Sequence, residues 1–196
     1  MHANSELKTQ NAKLILILGG ARSGKSTCAE RIAATFPRVT YLATAQAFDE
    51  EMRVRIAKHQ ADRPAHWHTV ECPLDPCAAL RARAAETDCF LLDCLTLLTS
   101  NLLLRDEQAA DADLLTYIDA LLDAVRETHT TTLMVSNEVG LGLVPENDLG
   151  RRYRDLLGRV NQRVAAQADA VYFMIAGLPL DIKALAGVPF AYSDER

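Results

Sequence analysis

No stretch of this sequence stays apolar for the roughly 20 residues that a membrane-crossing helix requires. The longest candidates, Leu14–Leu18 and Thr132–Val135, have the length of a strand. Residues 1–13 are polar and lack the apolar centre of a secretory leader, so they read as a loose tail before a single domain over 14–196. A basic excess is missing too. A formal net charge of −5 argues against a nucleic-acid surface, yet it is too small to suggest disorder. The five cysteines (Cys28, Cys72, Cys77, Cys89, Cys94) are odd in number and form no C-x-x-C pair. That argues against a disulfide framework and fits a reducing cytoplasm. Repeats, low-complexity tracts and Gly/Ser linkers are also lacking, and 196 residues suffice for one domain with a real core.

What is present is an alternation of strand and helix patterns. Leu14–Leu18 is a continuous apolar run, as expected of a strand buried on both faces of a parallel sheet. A Gly-rich turn follows, then a helix over about 25–35. Strands are expected at 39–43, 67–71, 89–93, 131–136 and 170–175, the last taken as the final central strand. Helices are expected at 49–60, 75–85, 95–104, 110–128 and 149–167. In the second helix Met52, Ile56 and Gln60 share one face. In the last, Tyr153, Leu156, Leu157, Val160 and Val164 recur at helical spacing. The pattern predicts an α/β fold: a mostly parallel sheet flanked by helices, with ligands beyond the C-terminal strand ends.

Gly19-Gly20-Ala21-Arg22-Ser23-Gly24-Lys25-Ser26 fits the phosphate-loop pattern G-x-x-x-x-G-K-[ST]. The spacing has a physical reason. Glycines let the backbone curl so that its N–H groups converge on phosphate oxygens. Lys25 adds a charge for the terminal phosphates and Ser26 a hydroxyl for Mg²⁺. The helix that follows aims its N-terminal dipole at the anion. The loop lies between an apolar strand and a helix, which is the context that gives the motif meaning. Asp93 ends another apolar strand, where a carboxylate can hold Mg²⁺ through water or cap the next helix.

Other residues are ambiguous on their own. His59 by itself reads first as a solvent-facing helix histidine and only second as a nucleophile. His66 and His68, with Cys72 and Cys77 downstream, match no standard zinc spacing. Trp67 between them reads as a packing wall. Arg22 either contacts a phosphate or faces solvent. Glu138 is either a general base or a loop-holding carboxylate. The run 140–147 is either an ordered lid or an oligomer contact. Arg151, Arg152 and Arg154 read as a solvated helix face.

Several separated motifs occur in order. They are Tyr41-Leu-Ala-Thr-Ala-Gln46, Asp49-Glu-Glu-Met52, Arg55-Ile56, His59, Arg63-Pro64, Trp67, Thr69 and Glu71, then Asn137-Glu-Val-Gly-Leu-Gly-Leu-Val-Pro-Glu-Asn147 and Arg159-Val-Asn-Gln-Arg163. Together with the phosphate loop they closely resemble the bifunctional adenosylcobinamide kinase/adenosylcobinamide-phosphate guanylyltransferase family, from about residue 14 to 177. The resemblance implies a RecA-like P-loop NTPase fold, a homotrimer, GTP and ATP as substrates with Mg²⁺, and a corrinoid acceptor. The corrinoid is adenosylcobinamide, which is phosphorylated, and then its phosphate, which receives GMP by way of a guanylyl-histidine.

The family's histidine corresponds to His59. Its nucleotide contacts correspond to Gly19, Gly20, Ala21, Arg22, Ser23, Gly24, Lys25 and Ser26; to Thr44, Ala45 and Gln46; to Ala61, Asp62, Arg63 and Pro64; and to Glu71 and Asp93. Ser26 and Asp93 are the implied metal side. Where relatives often carry Glu, this chain has the shorter Asp93. A neutral imidazole nitrogen can attack an α-phosphate and form a labile N–P bond. The kinase step instead needs attack on the γ-phosphate, so either the His59 helix moves between the two modes or the nucleotide binds in two ways. The competing readings are a simple P-loop kinase without guanylyl transfer and a nucleotide-gated interaction module.

Overall fold

The computed structural model describes residues 14–47, 50–61 and 63–185, with the backbone alone at 51, 52, 55 and 58. The elements in chain order are β1 (Leu14–Gly19), α1 (Lys25–Ala33), β2 (Val39–Ala43), α2 (Glu50–Ala61), β3 (His68–Glu71), α3 (Pro76–Arg83), β4 (Cys89–Asp93), α4 (Leu95–Arg105), α5 (Asp111–Thr128), β5 (Thr131–Val135), α6 (Asp148–Gln167), β6 (Ala170–Ile175), β7 (Leu178–Asp181) and α7 (Ile182–Leu185). A 3₁₀ turn over Ala84–Glu86 extends α3. The strands form one sheet in the order β3-β2-β4-β5-β1-β6-β7. Among the described residues only the β6–β7 pair is antiparallel. This is the mostly parallel sheet flanked by helices expected from the sequence.

β1 shows how the layers arise. All six of its residues are buried. Because side chains alternate across a strand, Leu14, Leu16 and Leu18 enter one core, and Ile15 and Ile17 the other. The first core packs β1 and β4 against α3, α4, α5 and α6. The second packs the opposite face against α1, through Cys28, Ala29, Ile32 and Ala33, and takes in Trp67.

Local chemistry sets the ends of helices. Asp75 caps α3 by accepting from the Ala78 amide at 3.2 Å, with Pro76 at the first helical position. Asn147 does the same for α6, accepting from the Gly150 amide at 2.7 Å.

The structure shifts one expected boundary and adds one strand. β3 begins at His68, while Trp67 sits in the core with its amide bonded to the Pro64 carbonyl. β6 is the final central strand, as expected, and an edge strand, β7, pairs onto it through a tight turn at Ala176 and Gly177, both with positive φ. Pro179 is tolerated there because β7 is the sheet edge. Asp49, the start expected for the second helix, and Asp62 lie outside the described residues, as does the side chain of Met52.

Candidate active site

The phosphate loop is shaped by its glycines. Gly24 adopts φ 95° at the N-terminus of α1, and no side chain caps that helix. Its first-turn amides are therefore available to an anion. Gly19 has φ 149°, and a side chain there would meet the Met174 carbonyl and Ser23 Oγ, both at 2.7 Å. The β6–β7 turn supports the loop from below, with the Gly177 amide donating to the Ser23 carbonyl at 3.1 Å. Lys25 is buried, and its Nζ donates to the Gly20 carbonyl at 2.6 Å, so the ammonium already arches over the loop. Gly20, Ala21 and Arg22 are exposed.

Parallel register assembles the rest. Glu71, Ala43 and Asp93 stand in one row at the C-terminal ends of β3, β2 and β4. Beyond that row is a cleft lined by Ser26, Tyr41, Ala43, Ala45, Ile56, His59, Gln60, Arg63, Glu71, Asp93, Cys94, Thr96, Leu97 and Asn137. Of the residues expected to act on a nucleotide or metal, Ser26, Ala45, His59, Arg63, Glu71 and Asp93 thus share one space.

Asp93 does not cap α4, whose N-cap position is Cys94. Its Oδ2 instead accepts from the Tyr41 hydroxyl at 2.7 Å. Burial, and then the Asp93 charge, push the Tyr41 phenol well above its ordinary range, so the hydroxyl remains a donor at neutral pH. The Arg63 guanidinium carbon lies 3.6 Å from the centroid of the same ring, a cation–π contact. Beside Asp93, burial and the carboxylate charge push the Cys94 thiol up to about 11, which keeps it protonated and a poor nucleophile.

His59 projects from α2 into the cleft and is half-buried. The adjacent Gln60 donates to Glu71 Oε1 at 3.2 Å, and Arg63 Nη1 reaches Thr69 Oγ1 at 3.5 Å. These exposed contacts tie the end of α2 to β3. Ala61 is exposed at the helix end, and Pro64 is half-buried in the turn beyond.

Thr44 differs from its neighbours Ala45 and Gln46. It is fully buried; its hydroxyl donates to the Cys94 carbonyl at 2.8 Å and accepts the Cys94 amide at 2.7 Å. Its side chain braces the cleft wall. Asn101 completes the brace, donating to the Thr44 and Pro73 carbonyls at 2.8 and 2.9 Å. Gln46 is half-buried beyond it.

Outside the cleft, Glu138 accepts from the Gly140 amide at 2.7 Å, the loop-holding geometry. The solvated-face reading of the three arginines is corrected. Arg152 pairs with Asp111 at 2.8 Å, Arg154 donates to the Gly140 carbonyl at 2.8 Å, and Arg151 to the Pro145 carbonyl at 3.0 Å. They fasten loops to α6. His66 and His68 are exposed while Cys72 and Cys77 are buried in the core opposite, so the four do not face one another. Sequence reasoning gave Tyr41, Ile56, Gln60, Cys94, Thr96, Leu97 and Asn137 no role in the cleft. Tyr41, Ile56 and Asn137 belong to the ordered motifs and Gln60 shares a helix face with Ile56, while Cys94, Thr96 and Leu97 had only proximity to a strand end.

A family model described as cobinamide kinase / cobinamide phosphate guanyltransferase matches residues 15–182. The chain is 51% identical over 170 residues to the bifunctional adenosylcobalamin biosynthesis protein CobP of Pseudomonas aeruginosa, covering 86% of this chain and 96% of that protein. It is 42% identical over 180 residues to the bifunctional adenosylcobalamin biosynthesis protein CobU of Salmonella typhimurium, covering 87% and 99%. Among solved structures, that of the RadB recombinase is similar with a TM-score of 0.46 and 12% identity, over 82% of this chain and 73% of that one.

Proposed function

Given that the chain belongs to the cobinamide kinase / cobinamide phosphate guanyltransferase family, we propose that it carries out both reactions in this one cleft. In the first, the hydroxyl of the aminopropanol arm of adenosylcobinamide attacks the γ-phosphate of a nucleoside triphosphate, and the nucleoside diphosphate leaves. In the second, the His59 nitrogen attacks the α-phosphate of GTP, forming an N–P bond and releasing pyrophosphate. The phosphate of adenosylcobinamide phosphate then takes the GMP, freeing His59 and giving adenosylcobinamide-GDP. The observation that carries this reading is that His59 lines the same cleft as Ser26 and Asp93.

The residues suit their roles. The curled loop and the uncapped start of α1 hold phosphates, and Lys25 neutralises them. Arg63, Glu71 and Ala45, which line the same cleft, are assigned to the nucleoside, with Gln46 next to Ala45 along the chain. Ser26 and Asp93 offer a hydroxyl and a carboxylate, hard oxygen donors in one cleft, which fit Mg²⁺. Bound Mg²⁺ would neutralise charge on the β- and γ-phosphate oxygens. None of the described side chains of α2 is buried, which favours movement of the His59 helix between the α- and γ-directed modes. A homotrimer in the cytoplasm accords with this reading, and Leu141 and Leu143, 80% and 97% exposed, offer apolar surface for such an assembly. Among the described residues no helix is long and apolar enough to cross a membrane.

The test is incubation with GTP labelled at the α-phosphate, Mg²⁺ and no corrinoid. Acid-labile label on the wild-type chain and none on His59→Ala is expected. A folded, GTP-binding wild type that takes no label would leave only a kinase resting on Lys25 and Asp93.

A further inference from the structure

Tyr41 was assigned no role by the sequence, yet it touches both sides of the cleft. It lies on β2, between β3 and β4, and is only 2% exposed. Its hydroxyl donates to Asp93 Oδ2 at 2.7 Å. Its ring carries the Arg63 guanidinium at 3.6 Å. A carboxylate at a strand end can rotate. A buried donor that takes one oxygen fixes the plane and leaves the second oxygen for a cation or its water. A guanidinium at the end of a lightly packed helix needs a flat surface to hold its place, and the aromatic face supplies one.

We propose that Tyr41 is a positioning residue shared by the two sides of the cleft: its hydroxyl orients Asp93 toward the divalent cation, and its ring seats Arg63 beside the helix that carries His59. The inference rests on the assignment of Asp93 to the metal. The two halves of the side chain have separable tasks, and two substitutions separate them. Tyr41→Phe keeps the ring and removes the hydrogen bond. Tyr41→Leu removes both.

The experiment measures GTP binding to the full-length chain by calorimetry, across a Mg²⁺ titration and in EDTA, with Mn²⁺ binding to the chain–GDP complex read by electron paramagnetic resonance. Tyr41→Phe is expected to raise the Mg²⁺ and Mn²⁺ concentrations needed for half-saturation about tenfold, and to leave GTP affinity in EDTA within about twofold. Tyr41→Leu is expected to show the same metal penalty and, in addition, about fivefold weaker GTP binding in EDTA, as Arg63 loses its platform. Equal losses with and without metal in Tyr41→Phe would mean a merely structural residue and overturn the proposal. So would an unchanged metal requirement in Tyr41→Phe when Asp93→Asn raises it. If Asp93→Asn itself leaves the requirement unchanged, the metal assignment of Asp93 fails, and the inference with it. Equal EDTA affinities for the Phe and Leu variants would overturn the role of the ring.

Discussion

Helices α1 and α2 each follow a strand and each border the cleft, but they are built in opposite ways. Of the nine residues of α1, five are buried, Lys25 among them, and the helix is keyed into the core by Ala29, Ile32 and Ala33. In α2 none of the described side chains is buried, and Val54 is 61% exposed. The loop before α1 is held by backbone bonds and by glycines in conformations that other residues resist. The end of α2 is held by exposed side-chain contacts, Gln60 to Glu71 and Arg63 to Thr69. The proposed phosphate site therefore rests on a rigid frame, while the candidate nucleophile rides on a helix with no buried side chain among those described. Elements that move in function are drawn from that class.

The contrast is broken most severely at Lys25. Because its ammonium belongs to the rigid side and serves any triphosphate, Lys25→Ala should lower both kinase and guanylyl-transfer rates by on the order of 10²–10³-fold, measured separately with adenosylcobinamide and its phosphate. A variant that lost only one activity would break the idea of a shared phosphate site.

Next in size is the frame itself. Asn101→Leu leaves the Thr44 and Pro73 carbonyls without their buried donor, and should cost about 2 kcal/mol in denaturant unfolding. Hydrogen exchange sharpens the comparison directly. Amides of α2 should exchange at least about 100-fold faster than those of α1 in the free protein, and slow when GTP is added. Similar protection in the two helices would contradict the assignment of mobility to α2. The smallest effect is expected from Gln60→Ala, about 0.5 kcal/mol or less in stability, since its contact to Glu71 is exposed. A larger loss would show that α2 is fastened more firmly than its exposure implies.

The rigid side was also the more legible one. β1 announces itself by an unbroken apolar run, and the phosphate loop by glycines whose backbone geometry is a local matter. β7 was missed because four residues containing Pro179 carry little periodicity, although Ala176-Gly177 was a readable hairpin turn. The arginines of α6 were misread for a different reason. Helical spacing shows which residues share a face, but not that Asp111 and the carbonyls of Gly140 and Pro145 lie opposite. Thr44 was singled out by the resemblance together with Ala45 and Gln46, and only the tertiary structure shows that its side chain also bonds to the backbone of Cys94.

The sequence by itself determined the alternation of strands and helices, the parallel sheet and the glycine-rich turn before α1, because these depend on residues close together along the chain. The tertiary structure decided that Tyr41 reaches Asp93, that Glu71 and Asp93 stand in one row, and that His59 faces the space beside Ser26. Those juxtapositions follow from strand order and register, which are fixed by burying both faces of the sheet at once, and burial on that scale is a property of the whole packed chain.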